Sequence, residues 1–162
     1  MGRAARLAIE RRLDDALSEI FTFRSDARLL QLFADDHVLH AALGIGPVSG
    51  VEPLRARLRS MWRAFGASAY QLQQVVAEGD QAYARVAVQV KHTAPFRVDG
   101  TEMSVTARWL VFALKVFTRW RGPRLAETWI EGDFFQTLLG ADALHVAGLD
   151  ALIATRDERG PD

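Results

Sequence analysis

Residues 69–93, AYQLQQVVAEGDQAYARVAVQVKHT, decide the fold class, because here the hydrophobic pattern changes from helical to extended. The pair Gly79-Asp80 is typical of a tight turn, so the segment predicts a hairpin of strands 69–78 and 81–93. In the second strand His92 falls on an apolar face, which it shares with Ala82, Ala84, Val86, Val88 and Val90. This alternation predicts a sheet that packs one face against a core.

Helices precede this hairpin. Apolar spacing predicts a helix over residues 3–22 and a second over 27–34, capped by Ser25 and Asp26. A third helix starts at the capping box Ser49-Gly-Val-Glu52 and stops at Gly66. Its apolar stripe holds Val51, Leu54, Leu58, Met61, Trp62 and Phe65. The arginines that we expect to project elsewhere are Arg55, Arg57, Arg59 and Arg63.

Extended segments surround and follow the hairpin. A turn at Asp35-Asp36 leads into a short extended run, and residues 95–101 are predicted to form a loop. Residues 102–120 form an extended run so long that it must bend or bulge, and 125–131 form the last strand. The order predicts an α+β domain over residues 1–162, with helices packed on one face of a curved sheet. In the tail, 143–153 fit a final helix and 156–162 are expected to be loose.

Composition excludes several classes of protein. Twenty basic residues balance twenty acidic ones, so we predict no nucleic-acid binding. Charges interrupt the first 20 residues, so we predict no membrane span, no signal peptide and a cytoplasmic protein. The chain has no cysteine, and its four histidines are scattered without paired spacing, so we predict no metal site.

A carboxylate stands where the last strand joins a short helix, in Glu127-Thr-Trp129-Ile-Glu131-Gly-Asp133-Phe-Phe-Gln136. Bulky aromatic neighbours would desolvate Asp133 and raise its pKa toward the range that proton transfer requires. The same aspartate also starts a capping box with Gln136, and accepted amide hydrogen bonds would lower its pKa. Alternation places Glu127, Trp129 and Glu131 on one face of the strand, unless a bulge intervenes.

Several stretches, taken in order, resemble a known family: 33–40, Gly50, 75–80, 84–85, 91–96, 100–101, 127–133 and 138–140. Together they cover about residues 25–142 and resemble the SnoaL-like polyketide cyclases of the nuclear transport factor 2-like superfamily. The resemblance implies a cone in which three N-terminal helices pack on a strongly curved antiparallel or mixed sheet. An apolar pocket lies inside such a cone.

The resemblance also implies an activity, which is the closure of a polyketide-like ester or ketone by an intramolecular aldol reaction. No cofactor is expected. Asp133 would be the general acid/base and His92 would assist, with His40 as the second choice. The residues expected to bind substrate are His40, Leu58, Met61, Trp62, Phe65, Phe96, Met103, Trp129 and Glu131. The chain departs from the family pattern at Val90-Lys91 and Gly66-Ala67, which leaves the substrate open.

Alternatives stay open beside this interpretation. His92 is equally explained as a buried histidine with a backbone partner. The fold also suits a non-catalytic module that binds a small apolar ligand or forms a dimer. A limonene-type epoxide hydrolase requires a carboxylate two residues after its arginine, whereas Arg85 is followed there by Ala87. We predict a homodimer, since alternation exposes Tyr83 and either Trp109 or Trp120 on the outer sheet face.

Overall fold

The computed structural model describes residues 3–41, 47–98, 101–134 and 137–138, without the side chains of residues 3–6, 98 and 101. The predicted final helix and the tail lie outside the described residues.

Three α-helices form within the described residues: α1 (Arg3–Ser18), α2 (Asp26–Leu32) and α3 (Val51–Ala64). A π-helical turn, Glu19–Phe23, extends α1, and Arg24 ends it in a left-handed conformation (φ 54°). The predicted helices are therefore confirmed, but α2 ends before Phe33 because the first strand begins there.

The predicted caps are wrong. Ser25 precedes α2 but makes no side-chain capping hydrogen bond, and α3 has no side-chain cap either. The cap position of α3 is Gly50, whose φ of 93° suits glycine. Glu52 lies 2.6 Å from Nη1 of Arg55 and so serves an ion pair within the helix.

Eight strands lie in the described residues: β1 (Phe33–Ala41), β2 (Val48–Ser49), β3 (Phe65–Glu78), β4 (Gln81–His92), β5 (Phe96–Val98), β6 (Thr101–Met103), β7 (Trp109–Arg121) and β8 (Arg124–Gly132). Six of them form a sheet in the order β2-β1-β8-β7-β4-β3, and β5 pairs with β6. β1 runs parallel to β8, while the other described pairs are antiparallel. This confirms helices packed on a curved, mixed sheet.

Sequence and structure differ at two extended segments. Asp35 and Asp36 lie inside β1 rather than in a turn, at an irregularity of its pairing with β8. The predicted run 102–120 is interrupted, since β6 ends at Met103 and β7 begins at Trp109. The predicted loop before it contains the small β5–β6 hairpin, which approaches α3.

A bulge in β8 decides which of its side chains face inward. Trp120 pairs with Leu125 and Arg119 with Glu127, so Ala126 is an extra residue on β8. Since side chains alternate with a period of two, the extra residue reverses the faces of everything after it. Thr128 and Ile130 therefore face the helices, whereas Trp129 and Glu131 face outward.

Candidate functional site

An apolar cavity of about 210 Å³ lies between the helices and the inner face of the sheet. Its walls come from α1, α3 and five strands of the large sheet, and side chains of the β5–β6 hairpin also line it. Helical lining residues include Leu13, Leu17, Leu54, Leu58 and Met61, and sheet lining residues include Val88, Val90, Phe112, Leu114, Leu125 and Ile130. Carbon atoms form nearly the entire surface of the cavity.

Four polar or charged side chains stand among the described residues of this wall: His37, Arg57, Thr118 and Thr128. No carboxylate of a described residue lines the cavity. The wall therefore offers hydroxyl, imidazole and guanidinium groups, but no acidic group to take up a proton.

His37 is fully buried in β1, and its Nε2 atom lies 3.1 Å from Oγ1 of Thr128. Its ring packs edge-on against Phe33, with 4.8 Å between the ring centroids. Burial lowers the pKa of His37 to about 4, although the negative charges of Glu127 and Asp36 raise it in part. The imidazole is therefore neutral at pH 7.

Thr118 faces the cavity next to Thr128, its partner across the β7–β8 pair. Its hydroxyl donates to the carbonyl of Ala82 at 3.2 Å and accepts from Nε1 of Trp120 at 3.1 Å. These bonds use the O–H donor and one acceptor lone pair of the hydroxyl within the protein. Thr118 is thus a structural group of the wall.

Five of the residues expected to bind substrate lie in the cavity wall: Leu58, Met61, Phe65, Phe96 and Met103. Leu58 and Met61 project from α3, Phe65 from the start of β3, and Phe96 and Met103 from the β5–β6 hairpin. Contact with a substrate stays a prediction for each of them.

The expected inward positions of Trp129, Glu131 and His40 are wrong. The bulge at Ala126 turns the first two outward, and His40, the pairing partner of Trp129, points the same way. His40 stacks on Trp129 at 4.9 Å and its Nε2 lies 2.9 Å from Glu127 Oε1. Trp62 is also absent from the wall, because its Nε1 donates to the carbonyl of Ile20 and ties α3 to the π-helical turn.

Asp133 is exposed and does not line the cavity. Its Oδ1 accepts the backbone N–H of Ala113 at 2.9 Å, so the side chain is bonded to β7. Its backbone carbonyl, rather than its side chain, accepts the N–H of Thr137 at 3.0 Å. The other predicted member of the capping box, Gln136, lies outside the described residues. A catalytic role for Asp133 stays a prediction that the position of its carboxylate does not favour.

His92 is fully buried on the apolar face of β4, as the alternation predicts. It packs against Phe65, with 5.3 Å between ring centroids, but does not itself line the cavity. Burial lowers its pKa, and the backbone of Ala94 offsets the shift in part. Neither ring nitrogen has a well-formed hydrogen bond to a described residue. The assisting role assigned to His92 stays a prediction.

Two cavity residues, His37 and Arg57, escaped the sequence analysis. For Arg57 a signal existed, since it follows Leu54 by three residues and precedes Met61 by four, which is the spacing of one helix face. For His37 there was no such signal. In an extended run His37 shares a face with Leu39, and His40 shares the opposite face with Val38. Both faces are therefore partly apolar, and either histidine could face inward.

The outer face of the sheet carries an apolar row across five strands. Cross-strand partners place Val76, Tyr83, Phe117, Trp129 and His40 side by side in β3, β4, β7, β8 and β1. Phe117 and Trp129 pack edge to face at 5.1 Å. Farther along β7, Trp109 and Val111 are 51% and 56% exposed, whereas Trp120 is buried. We call these residues, without Trp120, the outer apolar face.

None of the described helices is long and apolar enough to cross a membrane. Histidine and acidic side chains do not gather in threes anywhere in the described ranges. Arg85, which the epoxide hydrolase hypothesis requires, is exposed on the outer face of β4.

Known proteins resemble this chain in sequence and in fold. The family model of the SnoaL-like domain matches residues 15–128. A candidate polyketide cyclase from Acidithiobacillus ferrooxidans superposes with a TM-score of 0.71 at 17% identity, covering 85% of this chain and 96% of that one. IdmH, a candidate polyketide cyclase from Streptomyces antibioticus, gives 0.63 at 22% identity, with 79% and 94% covered.

An epoxide hydrolase of Mycobacterium tuberculosis, described as similar to the limonene enzymes, gives a TM-score of 0.63 at 13% identity, covering 93% of this chain and 98% of that one. No protein of curated function matches the sequence. The superpositions on the solved structures confirm the nuclear transport factor 2-like cone. At identities this low they establish the fold and nothing about activity. With most of its length matched by the family model, the chain belongs to the SnoaL-like domain family.

Proposed function

We propose that this protein binds a small apolar molecule in the cavity of the cone. The observation that carries the proposal is an apolar space of about 210 Å³ without a carboxylate among its described lining residues. Proteins do not keep apolar space of this size by default, because unfilled volume costs packing energy.

The volume limits the size of the ligand. An engineered apolar cavity of about 150 Å³ in another protein binds benzene. A cavity of about 210 Å³ therefore suits a ligand of one or two rings, and excludes a four-ring polyketide unless the walls move. Met61 and Met103 line the cavity, and their flexible side chains adapt to ligands of differing shape.

A second candidate function is cofactor-independent acid/base chemistry, as in the aldol closure of a polyketide-like ketone or ester. The observation that favours it is His37, a neutral imidazole in the cavity wall. A neutral imidazole donates a hydrogen bond to a carbonyl and stabilises the enolate that forms from it. A pKa near 4 makes the same group a weak base, so the chemistry requires an acidic carbon or a second base. For this reason binding ranks first.

Cavity filling tests the proposal. Leu58 in the wall and Leu30 on the exposed side of α2 form a matched pair for replacement by tryptophan. A panel of one- and two-ring ketones, esters, acids and amides is screened by thermal shift against the wild type. We expect at least one compound to raise the melting temperature, Leu58→Trp to abolish the shift and Leu30→Trp to retain it. Equal shifts in both variants would place binding elsewhere and refute the proposal.

We also propose that the protein is a cytoplasmic homodimer joined through the outer apolar face. An exposed apolar sheet surface with several aromatic rings is typical of a protein interface. Charges of both signs lie on this side of the sheet, since the strand register places Lys115 of β7 opposite Glu131 of β8. Two copies can therefore meet without a surface of one sign facing another of the same sign.

The dimer is tested by sedimentation. Val111→Lys puts a charge on an exposed position of the outer apolar face, and Leu30→Lys puts the same charge on an exposed helix position. The wild type and Leu30→Lys should sediment as dimers and Val111→Lys as a monomer. A monomeric wild type at tens of micromolar refutes the interface.

A further inference from the structure

One charged side chain of the cavity wall has no ion-pair partner among the described residues. Arg57 lies in the apolar stripe of α3, between Leu54 and Met61, and lines the cavity with them. Helical spacing therefore places it on the inner face, contrary to the expectation that it projects away from the apolar stripe. A guanidinium is not deprotonated in proteins, so the wall carries a permanent positive charge at this point.

The surroundings of Arg57 leave that charge only partly satisfied. Its Nη2 atom is buried and makes no hydrogen bond to a described residue. Its Cζ lies 5.6 Å from the ring centroid of Phe96 in β5, which is a cation–π contact. An aromatic face attracts the charge but supplies no acceptor to the buried Nη2.

Neighbouring carboxylates are already engaged. Within α3, Glu52 pairs with Arg55 at 2.6 Å. In the β5–β6 hairpin, Glu102 pairs with Arg97 at 3.1 Å. Among the described residues, therefore, neither element that meets at Arg57 supplies it with a counterion.

We propose that Arg57 binds the carboxylate of the cavity ligand, so that the ligand is a small apolar carboxylic acid. The inference rests on the proposed binding function and adds the chemical class of the ligand. A carboxylate accepts two parallel N–H bonds from a guanidinium, which supplies the missing acceptor at Nη2. The hydrocarbon part of the ligand occupies the apolar space beside Leu54, Leu58 and Met61.

The experiment compares two ligands of nearly equal shape, 1-naphthoic acid and 1-naphthamide, by isothermal titration at pH 7. We expect the wild type to bind the acid at least about tenfold more tightly than the amide, as for a charge-assisted hydrogen bond. Arg57→Met should lose this preference and bind the amide as before. Arg63→Met, an exposed arginine of the same helix, should keep it.

The outcomes separate the inference from the proposed function. Acid and amide binding equally well to the wild type would overturn the role of Arg57 and leave the binding function intact. Binding of neither compound, nor of any other in the ligand panel, would remove the binding function and this inference with it.

If Arg57→Met does not fold, Arg57→Lys decides, because it keeps the charge and loses the bidentate geometry. The acid preference should then fall but stay above one, and an unchanged preference would refute bidentate binding.

Discussion

The Nε2 atom of His37 and the Oγ1 atom of Thr128 lie 3.1 Å apart, across the parallel pairing of β1 with β8. Both residues are buried and both line the cavity. The pairing of the first strand with the last therefore creates a polar contact in an otherwise apolar wall. The Nδ1 atom of His37 is buried too and makes no hydrogen bond to a described residue.

The first prediction concerns pH. The pKa of His37 is about 4 in the folded protein against 6.5 for an unperturbed histidine, so the unfolded state binds the proton more tightly. The free energy of unfolding should therefore fall as pH drops from about 6.5 toward 4, by up to roughly 3 kcal/mol. Urea denaturation at several pH values measures this slope.

His37→Gln should reduce the slope without removing it, because the pKa of His92 is lowered in the same direction. A slope unchanged by His37→Gln would mean that His37 is not buried as a neutral imidazole.

The second prediction concerns the His37–Thr128 contact. Thr128→Val keeps the shape of the side chain but leaves Nε2 of His37 buried without a partner, which should cost about 1–3 kcal/mol. Thr128→Ser keeps the hydroxyl and should retain the contact. In the double variant His37→Leu/Thr128→Val both polar partners are gone, and the loss should be smaller than the sum of the single losses. Chemical denaturation of the wild type, the single variants His37→Leu and Thr128→Val, and the double variant completes the cycle, and strict additivity would contradict the contact.

The third prediction concerns Asp133. Because its carboxylate accepts the N–H of Ala113 outside the cavity wall, Asp133→Asn retains an oxygen acceptor and should leave ligand binding within about twofold of the wild type. Titration of whichever ligand stabilises the wild type measures this. A loss of binding or turnover by a factor of ten or more would return Asp133 to the functional site.

The fourth prediction concerns Gly132 at the end of β8. A Cβ atom at this position would lie 2.7 Å from Cδ2 of Leu114 and 3.1 Å from the carbonyl oxygen of Ala113. Gly132→Ala should therefore cost about 1–3 kcal/mol through overpacking. Glu131→Ala, at the exposed neighbouring position, is the control and should change stability by less than about 0.5 kcal/mol. Similar stability of both variants would show that the backbone relaxes freely here.

Local patterns predicted much of the architecture. The alternation of Val86, Val88 and Val90 with polar residues placed β4 correctly, and Gly79-Asp80 formed the expected turn. Capping was predicted less well, since Glu52 found a better partner in Arg55 than in the backbone. Salt bridges of this kind depend on side-chain positions that a motif does not specify.

The site was predicted only in part. Leu58 and Met61 lie in the wall because a helical stripe has a fixed period. Trp129 and Glu131 do not, since one extra residue at Ala126 reverses the faces of β8. A bulge results from pairing with a neighbouring strand and leaves no reliable trace in the local pattern.

The sequence by itself determined the α+β class, the helical stripe and the strand alternation, because these depend on periods that neighbouring residues set. Only the tertiary structure decided that His37 and Arg57 face the cavity and that Asp133 does not. Those positions depend on strand register and on the packing of elements distant in the chain. One shifted residue in a register exchanges the inside of the cone for its outside.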